Sequence, residues 1–354
     1  MKRYYKKNKK VPSSAIAKSG TFIRAKKSLG QNFLKSETAL RKIIEVGEIK
    51  QDDVILEIGP GRGALTEKLL EKAGTVIAVE KDYELFEFLK IKFAEQITSG
   101  ILVLVHDDIL KFDITRVWQN VFERTLGSCD GNEQRKFSAE NFCGESENIL
   151  PNPKTYKIIA NIPYNITGAI LKKFLEETHQ PEMMVLMVQH EVAQRIIGNS
   201  PSSAKAMAGK KESILSISVK AYGEPKMIAK VEKRYFSPAP KVDSAIISIK
   251  NISRKNFNSP LEEYPLGGGG NASTPSRERA TPQEGNKVDE QKFWEIVKTG
   301  FAHKRKKLSS NLKTLSKNGS LASVLEGLGN KRAEDLSLAD WIVLAREETN
   351  PPLE

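Results

Sequence analysis

The chain has 354 residues, 39% of them hydrophobic, enough to bury a sizeable core and to form two domains. Lys and Arg number 56 against 44 Asp and Glu, a net charge of +12 that points to a polyanionic partner, with a merely basic enzyme as the alternative. The two cysteines (Cys129, Cys143), the four scattered histidines and the lack of any long apolar run give no zinc pattern and no membrane span, so a reduced cytoplasmic protein is expected.

Residues 1–27 carry ten Lys or Arg and no acid, and 1–20 read as a disordered basic tail suited to phosphates, with an organelle transit peptide as the alternative. Val54 to Ile58 is a β-branched run that enters a glycine turn, Gly59-Pro60-Gly61-Arg62-Gly63, followed by helical spacing at Leu65, Leu69 and Leu70. Glycines there let the backbone approach a bound ligand. A second run, Thr75 to Val79, ends in Glu80, 21 residues after Gly59 and suited to accept from both hydroxyls of a ribose. Gly59, Gly61 and Ala64 also fit the dinucleotide fingerprint, so NAD and S-adenosylmethionine both stay open at this point.

A third run, Ile101 to Val105, leads into His106-Asp107-Asp108. An acid there can accept from an adenine amine, or it can simply cap a turn. In series with Gly59, Glu80 and Asn161, each just past successive strands, the ligand reading is favoured, because ligands of open α/β sheets sit where strand carboxyl ends converge. The stretch 127–155 lacks periodicity and reads as an insertion before a strand over Lys157 to Ala160. That strand runs into Asn161-Ile162-Pro163-Tyr164. A carboxamide, a proline-fixed carbonyl and an aromatic ring can hold a flat nucleobase by its exocyclic amine and stack on its face.

Beyond this point Gly168 to Glu177 is predicted helical, Met183 to Val188 a strand, His190 to Ile197 a helix and 199–209 a loop. Ser213 to Ala221 is a helix or strand, and Pro225 to Val231 with Ser244 to Ile249 form a closing strand pair. Residues 251–290, rich in Pro and Gly, read as a flexible linker, and 291–354 as a small helical C-terminal domain that binds RNA. Its stretch 303–317 has six Lys or Arg and no acid.

Four motifs now stand in order: Lys26 to Leu34 (KKSLGQNFL), Leu56 to Glu67 (LEIGPGRGALTE), Asn161 to Asn165 (NIPYN) and Phe236 to Ser244 (FSPAPKVDS). Together they resemble the rRNA adenine N6-dimethyltransferase family over roughly residues 22–250, with a basic helix near 293–315. The related 23S rRNA methyltransferases of macrolide resistance share the QNFL and NIPY elements, and Pro60 and Asp243 favour the 16S branch. The resemblance implies a Rossmann-like, S-adenosylmethionine-dependent α/β methyltransferase domain over 21–250 with a small all-helical C-terminal domain. It implies dimethylation of two adjacent adenosines in the 3′-terminal hairpin of 16S rRNA, on the small subunit or its precursor, by a monomer. Asn32 and Leu34 are expected to fold over the cofactor, with Gly30 and Gln31 as parts of their motif. Gly59 and Gly61 would meet its amino-acid portion, Glu80 its ribose, and Asp108 its adenine amine, with Asp107 able to share that contact. Asn161 is assigned to both cofactor and chemistry, and Phe236 to the second face of the target base. Leu29 and Ala208-Gly209 depart from the family pattern.

The expected chemistry follows from the amine. Its lone pair is delocalised into the ring, so it is a poor nucleophile. Acceptors off the ring plane, Asn161 Oδ1 and the Pro163 carbonyl, draw it toward tetrahedral geometry opposite an activated methyl, while Tyr164 covers one face. An oxidoreductase using the same glycine loop would need a hydride-site acid or base that no motif supplies. A non-catalytic RNA-binding relative would not need Glu80, Asp108 and Asn161 intact.

Overall fold

The structure, a computed structural model, describes residues 24–115, 117, 155–198, 211–258, 288–315 and 320–349. The basic tail, both cysteines, nearly all of the insertion, the loop over 199–209 and the middle of the linker lie outside these residues.

The strands are β1 (Phe33–Leu34), β2 (Val54–Ile58), β3 (Thr75–Glu80), β4 (Leu102–His106), β5 (Tyr156–Asn161), β6 (Met183–Gln189), β7 (Glu224–Val231), β8 (Phe236–Ser237) and β9 (Ser244–Lys250). The helices are α1 (Glu37–Val46), α2 (Ala64–Leu70), α3 (Tyr83–Lys92), α4 (Ala94–Thr98), α5 (Thr167–Glu176), α6 (His190–Ile197), α7 (Ile214–Lys220), α8 (Lys255–Asn258), α9 (Glu290–Gly300), α10 (Leu308–Leu312), α11 (Ser320–Leu328) and α12 (Leu338–Thr349). The segment left open between helix and strand, Ser213 to Ala221, is helical. Ser213 starts it with a reciprocal capping box to Ser216.

Seven strands form one sheet in the order β4-β3-β2-β5-β6-β9-β7. The first five are parallel, and β9 is antiparallel to both β6 and β7. Parallel strands with helices on both faces bury both sides, which is why β2, β3 and β6 appear in the sequence as nearly unbroken apolar runs. One face packs Ile55, Val76, Ile159 and Val185 against α1 and α2. The other packs Leu56, Ile158 and Leu186 against α5, α6 and α7. Successive residues of each strand thus serve opposite cores.

The C-terminal helices join the second core. Phe293, Ile296 and Val297 are fully buried along one face of α9, whose first turn is capped by Asp289 Oδ1 accepting from Gln291 and Lys292 at 2.8 and 3.1 Å. The linker expected over 251–290 is held at both described ends. Phe257 and Val288 are 2% and 1% exposed, and the Val288 amide donates to the Phe257 carbonyl at 3.0 Å. Two isolated apolar residues in a polar stretch gave no periodicity to signal this. Tyr222 donates to Glu290, and Arg254 Nε pairs with the same carboxylate at 3.0 Å.

Candidate functional site

The strand order reverses beside β2: β3 and β4 lie to one side, β5 and β6 to the other. Loops leaving the carboxyl ends diverge at such a point and leave a crevice. A cavity of about 500 Å³ opens there, and its walls include Asn32, Leu34, Gly59, Gly61, Glu80, Asp108, Asn161, Pro163 and Tyr164. The glycine turn is pinned where the Gly59 amide donates to the Val79 carbonyl at 2.9 Å. Gly59 and Gly61 sit at φ +64° and +61°, the left-handed region that favours glycine. Glu80 is 5% exposed, and its two oxygens accept from the Gly61 amide at 3.1 Å and the Asp82 amide at 2.8 Å. Burial raises its pKa, and those amides pull the other way.

A segment from Lys26 to Lys35 roofs this cavity and is latched at several points. Lys26 Nζ and Gln31 Nε2 each donate to an oxygen of Asp82, at 2.7 and 2.8 Å. Asp82 is 3% exposed and also caps α3. Burial alone would raise its pKa, but these donors hold it below the usual carboxylate range. Phe33 and Leu34 pair antiparallel with Ser237 and Phe236. The Arg62 guanidinium lies 4.5 Å from the Phe33 ring centroid, over the glycine turn.

Asn161 is the last residue of β5, and its Nδ2 donates to the Asn32 carbonyl at 3.1 Å. With the nitrogen so engaged, Oδ1 is the end left to accept. Pro163 has φ −61° and ψ 129° and starts a single 3₁₀ turn, Tyr164–Ile166. Its carbonyl already accepts the Ile166 amide at 3.3 Å, which leaves one of two lone pairs for a ligand. Tyr164 lies on the wall with its hydroxyl 2.6 Å from Ser244 Oγ. Phe236 departs from expectation. It is 2% exposed, packed in the core behind β1, and does not line the cavity. Pairing with Leu34 fixes which way β8 faces, and that turns the ring inward.

Asp108 lines the cavity and also caps a turn, with Oδ1 accepting from the Leu110 amide at 3.1 Å. Lys81 reaches it at 2.8 Å, and this hydrogen bond lowers its pKa. Lys81 itself also lines the cavity. Asp107 Oδ1 accepts the Asp108 amide at 2.6 Å and also lines the cavity.

Glu57 was not legible as a site residue. It lies within β2, 1% exposed, on the cavity wall under the glycine turn. Its Oε2 has no hydrogen-bond partner among the described residues, nor has Thr66 Oγ1 on α2. Burial pushes its pKa up to about 8, the Thr66 hydroxyl beside it pulls the other way, and the Glu80 charge adds to the rise. A signal did exist: an acid inside an otherwise apolar parallel strand must be buried.

These features fit a nucleoside cofactor. Glu80 presents two acceptors to neighbouring hydroxyls, Asp108 one to an amine, and a Cβ at Gly59 would stand 3.9 Å from Pro163 Cδ, in the gap between turn and wall. Among the described residues no group of His, Cys, Asp or Glu is placed to hold a metal ion, and no helix is long and apolar enough to cross a membrane.

The model of the family "Ribosomal RNA adenine dimethylase" matches residues 23–264. A ribosomal RNA small subunit methyltransferase A of Dehalococcoides mccartyi is 34% identical over 339 residues, covering 94% of this chain and 91% of the relative. A protein of the same name from Francisella tularensis is 33% identical, covering 91% and 97%. Among solved structures, the 23S rRNA methyltransferase ErmE aligns with a TM-score of 0.56 and 21% identity over 89% of this chain and 99% of its own. A dimethyladenosine transferase from Plasmodium falciparum aligns at 0.55 and 22%, covering 88% and 95%. At that identity the two structures speak for the fold.

Proposed function

The chain belongs to the ribosomal RNA adenine dimethylase family, and from that premise we propose that it methylates N6 of adenosines in small-subunit rRNA with S-adenosylmethionine as donor. The targets in this reading are two adjacent adenosines of the 3′-terminal hairpin of 16S rRNA, each taken to the dimethyl form. The protein works in the cytoplasm as a monomer on the small subunit or its precursor.

The cofactor supplies a methyl group already activated by the positive charge on sulfur. Everything else is positioning by this chain. Glu80 holds the ribose hydroxyls, Asp108 the adenine amine, the turn at Gly59 and Gly61 the amino-acid portion, and Asn32 with Leu34 the roof. Asn161 Oδ1 and the free lone pair of the Pro163 carbonyl accept the two N–H groups of the target amine and draw its lone pair out of the ring. Tyr164 covers one face of the base. No strong base is needed, since the amine proton becomes acidic once the nitrogen is alkylated. Phe236 serves this site indirectly, by holding β1 and so Leu34 in place. The exposed run Lys304 to Lys307 and the basic tail contact phosphates and supply affinity without reading sequence.

The observation that supports this reading is the Asn161 carboxamide, whose nitrogen donates to Asn32 and which lines the same cavity as Glu80 and Asp108. The test is Asn161→Ala, assayed on small subunits from an unmethylated strain with the modified base mapped by primer extension. Methyl transfer is expected to fall at least about 100-fold while cofactor still binds. Normal turnover by that variant would remove the assigned role.

A further inference from the structure

The turn before β8 carries chemistry that the transfer reaction does not use. Lys233–Tyr235 is a single 3₁₀ turn with three successive exposed side chains. Tyr235 is 37% exposed, whereas its neighbour Phe236 is 2% exposed. The exposed Arg234 guanidinium lies 5.1 Å from the Tyr235 ring centroid and pairs with Glu232 at 2.8 Å, which places a cation beside the ring.

This turn is tied to both sides of the cavity mouth. The Tyr235 carbonyl accepts the amide of Lys35, a residue of the cavity wall, at 2.8 Å. On the other side Asp243 Oδ1 accepts the Lys233 amide at 3.0 Å, and the next residue, Ser244, meets the Tyr164 hydroxyl at 2.6 Å. Lys35, Lys233 and Lys241 are exposed around it. A lone exposed aromatic needs no explanation. An aromatic ring beside a cation, with its carbonyl bonded to a residue of the cavity wall and its turn linked through Asp243 and Ser244 to Tyr164, is a different object.

We propose that Tyr235 is a stacking platform for an unpaired nucleotide adjoining the adenosine that enters the cavity, with Lys35, Lys233 and Lys241 on the neighbouring phosphates. The proposal rests on the rRNA reading given above. A base withdrawn from a strand leaves its neighbour without a stacking partner, and an aromatic face at the mouth restores one. Such stacking tolerates any base, because every base has a π face. Tyr235 therefore positions RNA and takes no part in cofactor binding.

The test compares wild type, Tyr235→Ala and Tyr235→Trp on unmethylated small subunits, with cofactor affinity measured separately. The Ala variant is expected to raise the KM for RNA roughly 5- to 150-fold, with kcat within about twofold, unchanged cofactor affinity and recovery by Trp. A second measurement uses a hairpin carrying 2-aminopurine beside the target adenosine. Its fluorescence should be quenched by wild type and not by Tyr235→Ala. An unchanged KM, or equal quenching by both proteins, overturns the platform while leaving the rRNA reading intact. Absence of wild-type methyl transfer overturns the rRNA reading itself.

Discussion

Replacing Glu57 with Gln removes a titrating group whose charged form the fold penalises. The carboxyl is 1% exposed and is pushed from 4.5 up to about 8, chiefly by burial. The unfolded chain gives up this proton near 4.5 and the folded chain near 8. Between those values the native state binds the extra proton, so stability falls as pH rises, by about 1.4 kcal/mol per unit. The loss amounts to roughly 3 kcal/mol at pH 7 and levels off near 5 above pH 8. Gln copies the protonated shape and does not titrate. The two proteins should therefore match within about 1 kcal/mol near pH 5, and the variant should lead by several kcal/mol at pH 8. Urea denaturation at pH 5, 6, 7 and 8 reads the difference directly, provided both proteins keep the same m-value. A gap that ignores pH, or a variant less stable at pH 8, would refute the argument from burial.

Three further outcomes are expected. Asp108→Ala should weaken cofactor binding by about 10-fold or more, since an acceptor is lost and Lys81 is left without its partner; calorimetric titration checks this. Gly63→Ala places a Cβ 2.6 Å from the Phe93 ring at φ +78°, and should cost about 2–4 kcal/mol, seen as a lowered thermal midpoint. Asp82→Asn weakens the Lys26 latch and should speed cofactor dissociation several-fold in a stopped-flow chase; an unchanged rate would mean that the pairing of β1 with β8 alone holds the roof.

The parallel strands and their carboxyl-end residues were legible because strands buried on both faces leave continuous apolar runs, and Gly59, Glu80 and Asn161 each end or follow one. What stayed hidden depended on partners distant in sequence. β1 and β8 are two residues each, too short for any periodicity, so nothing indicated that Phe236 would face Leu34 rather than the cavity. Of the adjacent aromatics Tyr235 and Phe236, strand pairing alone decides which is buried. Lys81 and Asp108 lie 27 residues apart and meet because their strands, β3 and β4, are neighbours. Glu57 looked like one letter of a glycine motif, although its place inside an apolar parallel strand already implied burial.

The bond from Asn161 to Asn32 ties the orientation of the carboxamide to the position of the roof. A change that moved the segment would also turn the side chain, because its nitrogen donates to the Asn32 carbonyl. Under the proposed function, a substitution that displaces the roof would therefore cost methyl transfer even where Asn161 itself is kept.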